Sequence, residues 1–245
     1  MKLHIIGTGS KGNSYILQND SEALLLEAGC NFAEVKKALG FNLRKVAGCL
    51  ITHEHGDHAK FIENVAKASI DTYSHVKTFE ALKVFGHRYK AIEPMRMLEI
   101  GRFRVLPFEV KHDAAAPLGF LINHPDTGNV LFLTDTMYSP YTFEGLNNII
   151  VEANYSTEII KRKCDEQLLP IFLRDRVIKS HLSFENCTKL LLANDLTKVN
   201  NIVLIHLSDG NSDEAMFKDE TEKQTGKLVT VARNGMVIDF NKTPF

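Results

Sequence analysis

Thr52-His53-Glu54-His55-Gly56-Asp57-His58 is the stretch on which the reading of this chain turns. His53, His55, Asp57 and His58 bring three imidazoles and a carboxylate donor together within six residues. Imidazole nitrogen and carboxylate oxygen suit zinc, manganese or iron. Cys49-Leu50-Ile51-Thr52 reads as a short buried strand that delivers the histidines at its C-terminal end. On a tight loop after a strand, alternate residues point to one side and the next pair to another. The spacing therefore predicts that His53 and His55 serve one ion and Asp57 and His58 a second, with Gly56 supplying the backbone freedom of the turn. Two histidines one residue apart occur often by chance; the longer pattern closing on Asp-His behind an apolar strand does not.

These four groups cannot complete two sites, so further donors must come from elsewhere. Three polar residues stand at the tips of strand-like segments. His112 follows Glu109-Val110-Lys111, Asp135 follows Val130–Thr134, and His206 follows Ile202–Ile205. Each alone reads as a capping or core residue; together with the histidine run they read as ligands gathered along one edge of a sandwich.

Outside these segments the pattern alternates strands and helices twice. Strands are predicted at Leu3–Ile6, Tyr15–Leu17, Ala23–Leu26, Phe103–Pro107, Glu109–Lys111, Phe120–Asn123, Ile149–Val151, Leu228–Val231 and Met236–Phe240. Helices are predicted from Asn31 to Gly40 and at Lys60–Ala68, Val76–Phe85, Thr157–Leu169, Phe184–Asn194 and Asp213–Thr225. The order fits an α+β fold, a four-layer αββα sandwich of two mixed sheets flanked by helices, with residues 1–245 as one domain. Gly7-x-Gly9-x-x-Gly12 matches a dinucleotide fingerprint in spelling only. A Rossmann turn opens a helix, whereas Ser14-Tyr15-Ile16-Leu17 continues as a strand.

The formal net charge of −1 gives no global basic field of the kind that marks many nucleic-acid binders, although a local patch is compatible with it. Four widely spaced cysteines without a C-x-x-C read as reduced thiols. With no signal peptide and no long apolar stretch, a cytoplasmic location without membrane association is expected.

In order along the chain, the 53–58 run, His112, Asp135 and His206 resemble the metallo-β-lactamase-fold hydrolase superfamily. The finer resemblance is to its YycJ/WalJ-like branch, near ribonuclease Z and the phosphodiesterase members. It rests on Gly7-Thr8-Gly9-Ser10-Lys11-Gly12-Asn13, His112-Asp113-Ala114, Thr134-Asp135, Glu152-Ala153-Asn154, His181-Leu182-Ser183 and Ile205-His206-Leu207-Ser208. The resemblance implies two divalent ions, Zn²⁺ or Mn²⁺ with Fe²⁺ also suited. His53, His55 and His112 would hold the first, Asp57, His58 and His206 the second, and Asp135 would bridge them. Glu27 stands where the superfamily usually has Asp and would orient a ligand from behind.

The resemblance further implies that His181, two residues before the helix N-cap Ser183, protonates the leaving group, while Asp57 both ligates and orients the attacking hydroxide. Lys11, Asn13 and Asn154 are expected near the substrate, and the basic residues around 161–163 and 174–179 either form a solvated face or guide phosphates. The function expected is phosphodiester hydrolysis, with DNA favoured and RNA or a cyclic nucleotide open. The alternatives are thioesterase or lactonase chemistry, and a non-catalytic metal-binding module.

Overall fold

The computed structural model describes residues 1–244. A glycine-rich turn and a second, led by Asn19, fold the N-terminus into a meander: β1 (Lys2–Gly7), β2 (Ser14–Gln18) and β3 (Ala23–Leu26) pair antiparallel, with Leu3 opposite Leu17 and Ile16 opposite Leu25. Asn19 closes the second turn by accepting hydrogen bonds from the Ser21 and Glu22 amides, an Asx turn. Helix α1 (Phe32–Ala38), capped by the Asn31 side chain, then crosses to β4 (Val46–Leu50), which runs parallel to β3. Helices α2 (Gly56–Ala59), α3 (Ile62–Lys67) and α4 (Val76–Leu82) alternate with β5 (Thr72–Ser74) and β6 (Tyr89–Ala91), extending the parallel half.

The second half repeats the scheme. Strands β7 (Leu98–Ile100), β8 (Phe103–Glu109), β9 (Leu118–His124) and β10 (Gly128–Leu133) form an antiparallel run. β11 (Leu146–Glu152) joins β10 parallel. After α5 (Thr157–Asp165), α6 (Ile171–Ser180) and α7 (Phe184–Ala193), β12 (Asn201–Ile205) continues the parallel side, and β13 (Leu228–Val231) follows α8 (Glu214–Thr225). The last strand, β14 (Val237–Asp239), returns to the first sheet beside β1. Both sheets have seven strands, ordered β14-β1-β2-β3-β4-β5-β6 and β13-β12-β11-β10-β9-β8-β7, and both are mixed.

Side-chain alternation sorts each central strand between two layers. Leu17, Leu24, Leu50, Phe120, Phe132, Val203 and Ile205 meet between the sheets. Ile16, Leu25 and Ile51 turn outward onto Phe32, Val35 and Val65 of α1 and α3. Leu131, Ile149, Ile202 and Leu204 face Cys187 and Leu191 of α7 and Phe217 of α8. This is the expected αββα sandwich. Phe132 is fully buried and meets the Tyr15 ring edge-on at 5.8 Å across the two sheets. Phe132→Ala is expected to lower unfolding free energy by about 3–5 kcal/mol. Urea denaturation checks this, and a midpoint unchanged from wild type would contradict the central position of that ring.

Two predicted elements differ. No strand spans Glu109–Lys111: β8 ends at Glu109, leaving His112 in the following loop rather than on a strand tip. The helix expected through Leu169 stops at Asp165, and a separate helix begins at Ile171 behind Pro170.

Candidate metal centre

The strand directions explain why distant residues meet. β1, β3, β4, β8, β10, β11 and β12 all end at the same edge of the sandwich, where open α/β sheets place ligands. Glu27 follows β3, the 53–58 run follows β4, Asp135 follows β10, and His206 follows β12. Glu27, Asp135 and His206 all take left-handed backbone, with φ of 68°, 42° and 55°. Such conformations cost non-glycine residues about 1–3 kcal/mol each and cluster at functional sites. Here they fold the chain back sharply at the strand ends.

The histidine run is fastened through its backbone. Asp57 carbonyl accepts from the Asn13 amide at 2.7 Å, and His58 carbonyl accepts from the Ala28 amide at 2.7 Å. A Cβ on Gly29 would collide with the Asp57 carbonyl, so glycine is required there for the loop to seat. Gly56 does not play the part expected of it. Its φ is not positive, a Cβ would meet open space, and it begins α2.

His53, His55 and His112 form one group. His53 Nε2 lies 3.0 Å from His55 Nδ1, which lies 3.1 Å from His112 Nε2. His112 Nδ1 donates to the Ser180 carbonyl at 2.6 Å, so its Nε2 presents a lone pair to the cluster. Burial holds both His53 and His112 below the ordinary imidazole range, so these rings are neutral donors.

Asp57, His58, Asp135 and His206 form a second group. Asp57 Oδ2 lies 3.3 Å from His58 Nε2 and 3.4 Å from His206 Nε2. Asp135 stands between the groups. Its Oδ1 is 3.3 Å from His58 Nε2 and 3.1 Å from His206 Nδ1, while its Oδ2 is 3.7 Å from His112 Nε2 and 3.9 Å from His53 Nε2. Glu27 lies behind His58, with Oε1 3.5 Å from His58 Nδ1 and Oε2 accepting from the Thr52 amide. The longer side chain brings a carboxylate behind the His58 ring, with no hydrogen bond between the two.

Glu152 escaped the sequence reading as a site residue. Fully buried at the tip of β11, it places Oε1 2.7 Å from His181 Nδ1 and 2.9 Å from His206 Nδ1. Its Oε2 accepts from the Thr136 and Leu182 amides. The apolar run Ile149–Val151 ending on one acid carries the same strand-tip signal that marked Asp135 and His206. His181 caps the C-terminus of α6, and Ser183 caps α7 by accepting from the Asn186 amide. Burial alone would lower the His181 pKa, but the Glu152 carboxylate outweighs it and holds the ring above the usual imidazole range.

A cleft of about 520 Å³ opens over these groups, lined by Asp57, His112, Asp135, Asn154, Arg176 and His181 among others. Asn154 reaches this wall, and its Nδ2 donates to the His206 carbonyl at 2.8 Å. Asn13 is fully buried. Its Nδ2 lies 3.1 Å from His58 Nε2 and 3.3 Å from Asp57 Oδ2, so it braces candidate ligands rather than facing the cleft. Lys11 is exposed on the glycine turn and is not part of the cleft wall, whereas Ser10 is.

A divalent cation fits these donors. Three ring nitrogens converge at about 3 Å with too few hydrogens to join them all, and buried His206 Nε2 has no hydrogen-bond partner. Without a cation, protons supply the positive charge. Burial opposes ionisation of His58 and His206, but Asp135 with Glu27, Asp57 and Glu152 overrides it, holding His58 well above its ordinary range and raising His206 to about 10. Metal uptake at neutral pH must therefore expel protons. At least one proton per chain is expected to leave on saturation at pH 7. Calorimetric titration in buffers of different ionisation enthalpy measures the number, and zero release would contradict it.

Residues 23–207 match the model of the β-lactamase superfamily domain. The chain is 29% identical over 228 residues to exodeoxyribonuclease WalJ of Streptococcus pneumoniae, covering 86% of this chain and 83% of that protein. It is 29% identical over 230 residues to exodeoxyribonuclease YycJ of Bacillus anthracis, covering 86% and 85%. Among solved structures, the metallo-β-lactamase fold protein YhfI of Bacillus subtilis superposes with a TM-score of 0.74 at 18% identity, over 97% of this chain and 98% of that one. No helix among the described residues is long and apolar enough to cross a membrane. With a family match over most of its length, the two-sheet architecture and the clustered histidines at one sheet edge, the chain belongs to the β-lactamase superfamily and carries its metallo-β-lactamase fold.

Proposed function

We propose that this protein is a binuclear metal-dependent phosphodiesterase acting on nucleic acid, with DNA as the favoured substrate. The observation that carries the reading is the Glu152–His181 pair beside the candidate metal ligands, in which the carboxylate holds a cleft-lining imidazole protonated to higher pH than usual. Two relatives at 29% identity, both named exodeoxyribonucleases, support the same substrate class.

His53, His55 and His112 would hold one ion, Asp57, His58 and His206 the other, and Asp135 would serve both; this donor set suits Zn²⁺ or Mn²⁺, and Fe²⁺ as well. Bound there, such ions act as Lewis acids toward phosphoryl oxygens and lower the pKa of water toward neutrality. The chain's own groups do the rest. Asp57, one-quarter exposed at the cleft, accepts a hydrogen bond from the attacking water and fixes its direction. His181 donates a proton to the departing oxygen, since Glu152 engages its Nδ1 and leaves Nε2 as the proton-bearing face. Glu27 and Asn13 hold His58 and Asp57 in place from behind.

The test offers purified, metal-loaded protein a panel of single- and double-stranded DNA, RNA, a cyclic nucleotide, a thioester and a lactone. Turnover of DNA that disappears in Asp57→Ala is the expected result. Thioester or lactone turnover without phosphodiester cleavage would replace this reading with acyl chemistry.

A further inference from the structure

We propose that the α5–α6 hairpin is a clamp for single-stranded nucleic acid, gripping the strand as it enters the cleft. This inference rests on the phosphodiesterase reading above.

Of the ten residues of α6, only Ser180 is buried. A soluble helix normally hides an apolar stripe against its neighbours, yet here Leu168, Ile171 and Phe172 stand 68%, 63% and 71% exposed. The sequence did not mark this helix because it has no inward face to impose a period. The patch belongs to the cleft by position. Arg176 and Val177 of the same helix line the cleft wall, the Ser180 carbonyl receives His112, and His181 follows directly. At the other side, Lys163 of α5 donates to the Gly210 carbonyl on the opposite lip. A ligand lying along α6 is thereby led to the candidate metal ligands.

Charge identifies the occupant. Between residues 157 and 180, six lysines and arginines stand against four acids, in a chain whose net charge is −1. Arg174 is taken up by Asp175. Among the described residues, Arg162, Arg176 and Lys179 have no carboxylate within salt-bridge distance. Arg176 and Lys179 stand four and seven residues beyond Phe172, on the same face of α6. Unpaired cations on one face with an exposed aromatic ring match a strand whose phosphates follow the positive charges and whose unstacked bases lie on the ring. A symmetric contact between two copies of this hairpin would set like charges against each other.

Fluorescence anisotropy of a labelled, phosphorothioate-linked oligothymidylate on the metal-loaded protein tests the clamp independently of turnover. Phe172→Ala is expected to weaken binding about tenfold. Arg162→Ala/Lys179→Ala, a surface pair that leaves the apolar patch intact, is expected to reduce the slope of log Kd against log salt by about 1.4. In both variants kcat/KM for a long single strand should fall about tenfold relative to kcat/KM for bis-p-nitrophenyl phosphate. Wild-type strand affinity in both variants would overturn the clamp. So would unchanged strand affinity accompanied by a loss of self-association in light scattering or of binding to anionic vesicles, which would assign the patch to a second copy or a lipid surface. Strand binding that responds to the substitutions in a protein that cleaves no phosphodiester would instead sink the proposed reaction and leave the clamp standing.

Discussion

Asp135→Asn is expected to leave the protein folded but poor in metal and nearly inert. The substitution keeps the shape of the side chain and removes one charge from a carboxylate whose two oxygens face both candidate ligand groups. Removing a partner that merely orients a metal ligand costs about 10–100-fold in affinity or activity. Losing a group shared by two sites should exceed the upper end of that range. Elemental analysis after dialysis, alongside turnover of DNA, measures both effects. The metal-free protein adds a pH signature. His206 is raised to about 10 by neighbours that include Asp135, so its contribution to stability is complete below its unfolded value near 6.5 and disappears as pH rises through about 10. Asp135 is itself held well below its ordinary value of 3.8 by His206 and His58, despite burial, so its contribution is lost as pH falls through that lowered range. Chelator-treated Asp135→Asn should therefore lose most stability relative to wild type between about pH 4 and 6.5, with the gap closing toward pH 10. A full metal complement in the variant would remove Asp135 from the shared position.

How legible this site was depended on how local each signal is. His53, His55, Asp57 and His58 lie within six consecutive residues, so spacing alone marked them as candidates. Asp135 and His206 could be marked because each follows a buried apolar strand within two residues, where a polar group is out of place unless it has work at the edge. His112 was named as a candidate for a reason that does not hold, since its strand ends three residues earlier; the Ser180 carbonyl on α6 fixes its ring beside His55 instead. That contact joins residues 68 apart and leaves no trace in either local pattern. The two sheets emerged from apolar alternation, but β5, β6 and β7 are three residues each, too short for a period to register. Asn13 was expected near the substrate, together with Lys11 and Asn154. Only the fold shows the glycine turn that carries it pressed onto the Asp57 carbonyl, where its amide serves the ligands instead.

His181→Ala should separate proton donation from every structural role the residue could have. If His181 protonates the departing oxygen, its removal matters in proportion to how poorly that oxygen bears charge. A sugar alkoxide leaving DNA needs the proton, whereas p-nitrophenolate is a stable anion at neutral pH. General-acid assistance contributes about 10²–10⁴-fold, so DNA cleavage is expected to fall within that range while bis-p-nitrophenyl phosphate turnover falls only a few-fold. Glu152→Gln supplies the pH half of the argument. The wild-type ring keeps its proton to higher pH than a free imidazole because Glu152 outweighs its burial, and the donor is lost as pH rises through that raised value. Without the carboxylate the pKa drops, and the alkaline limb of kcat against pH for DNA should move to lower pH in Glu152→Gln. Glu152 also contacts His206, so metal content must be matched before the profiles are compared. Equal losses on both substrates in His181→Ala, with an unmoved alkaline limb in Glu152→Gln, would mean that the imidazole binds phosphate rather than giving up its proton, because only a group that transfers a proton to the leaving oxygen distinguishes one leaving oxygen from another.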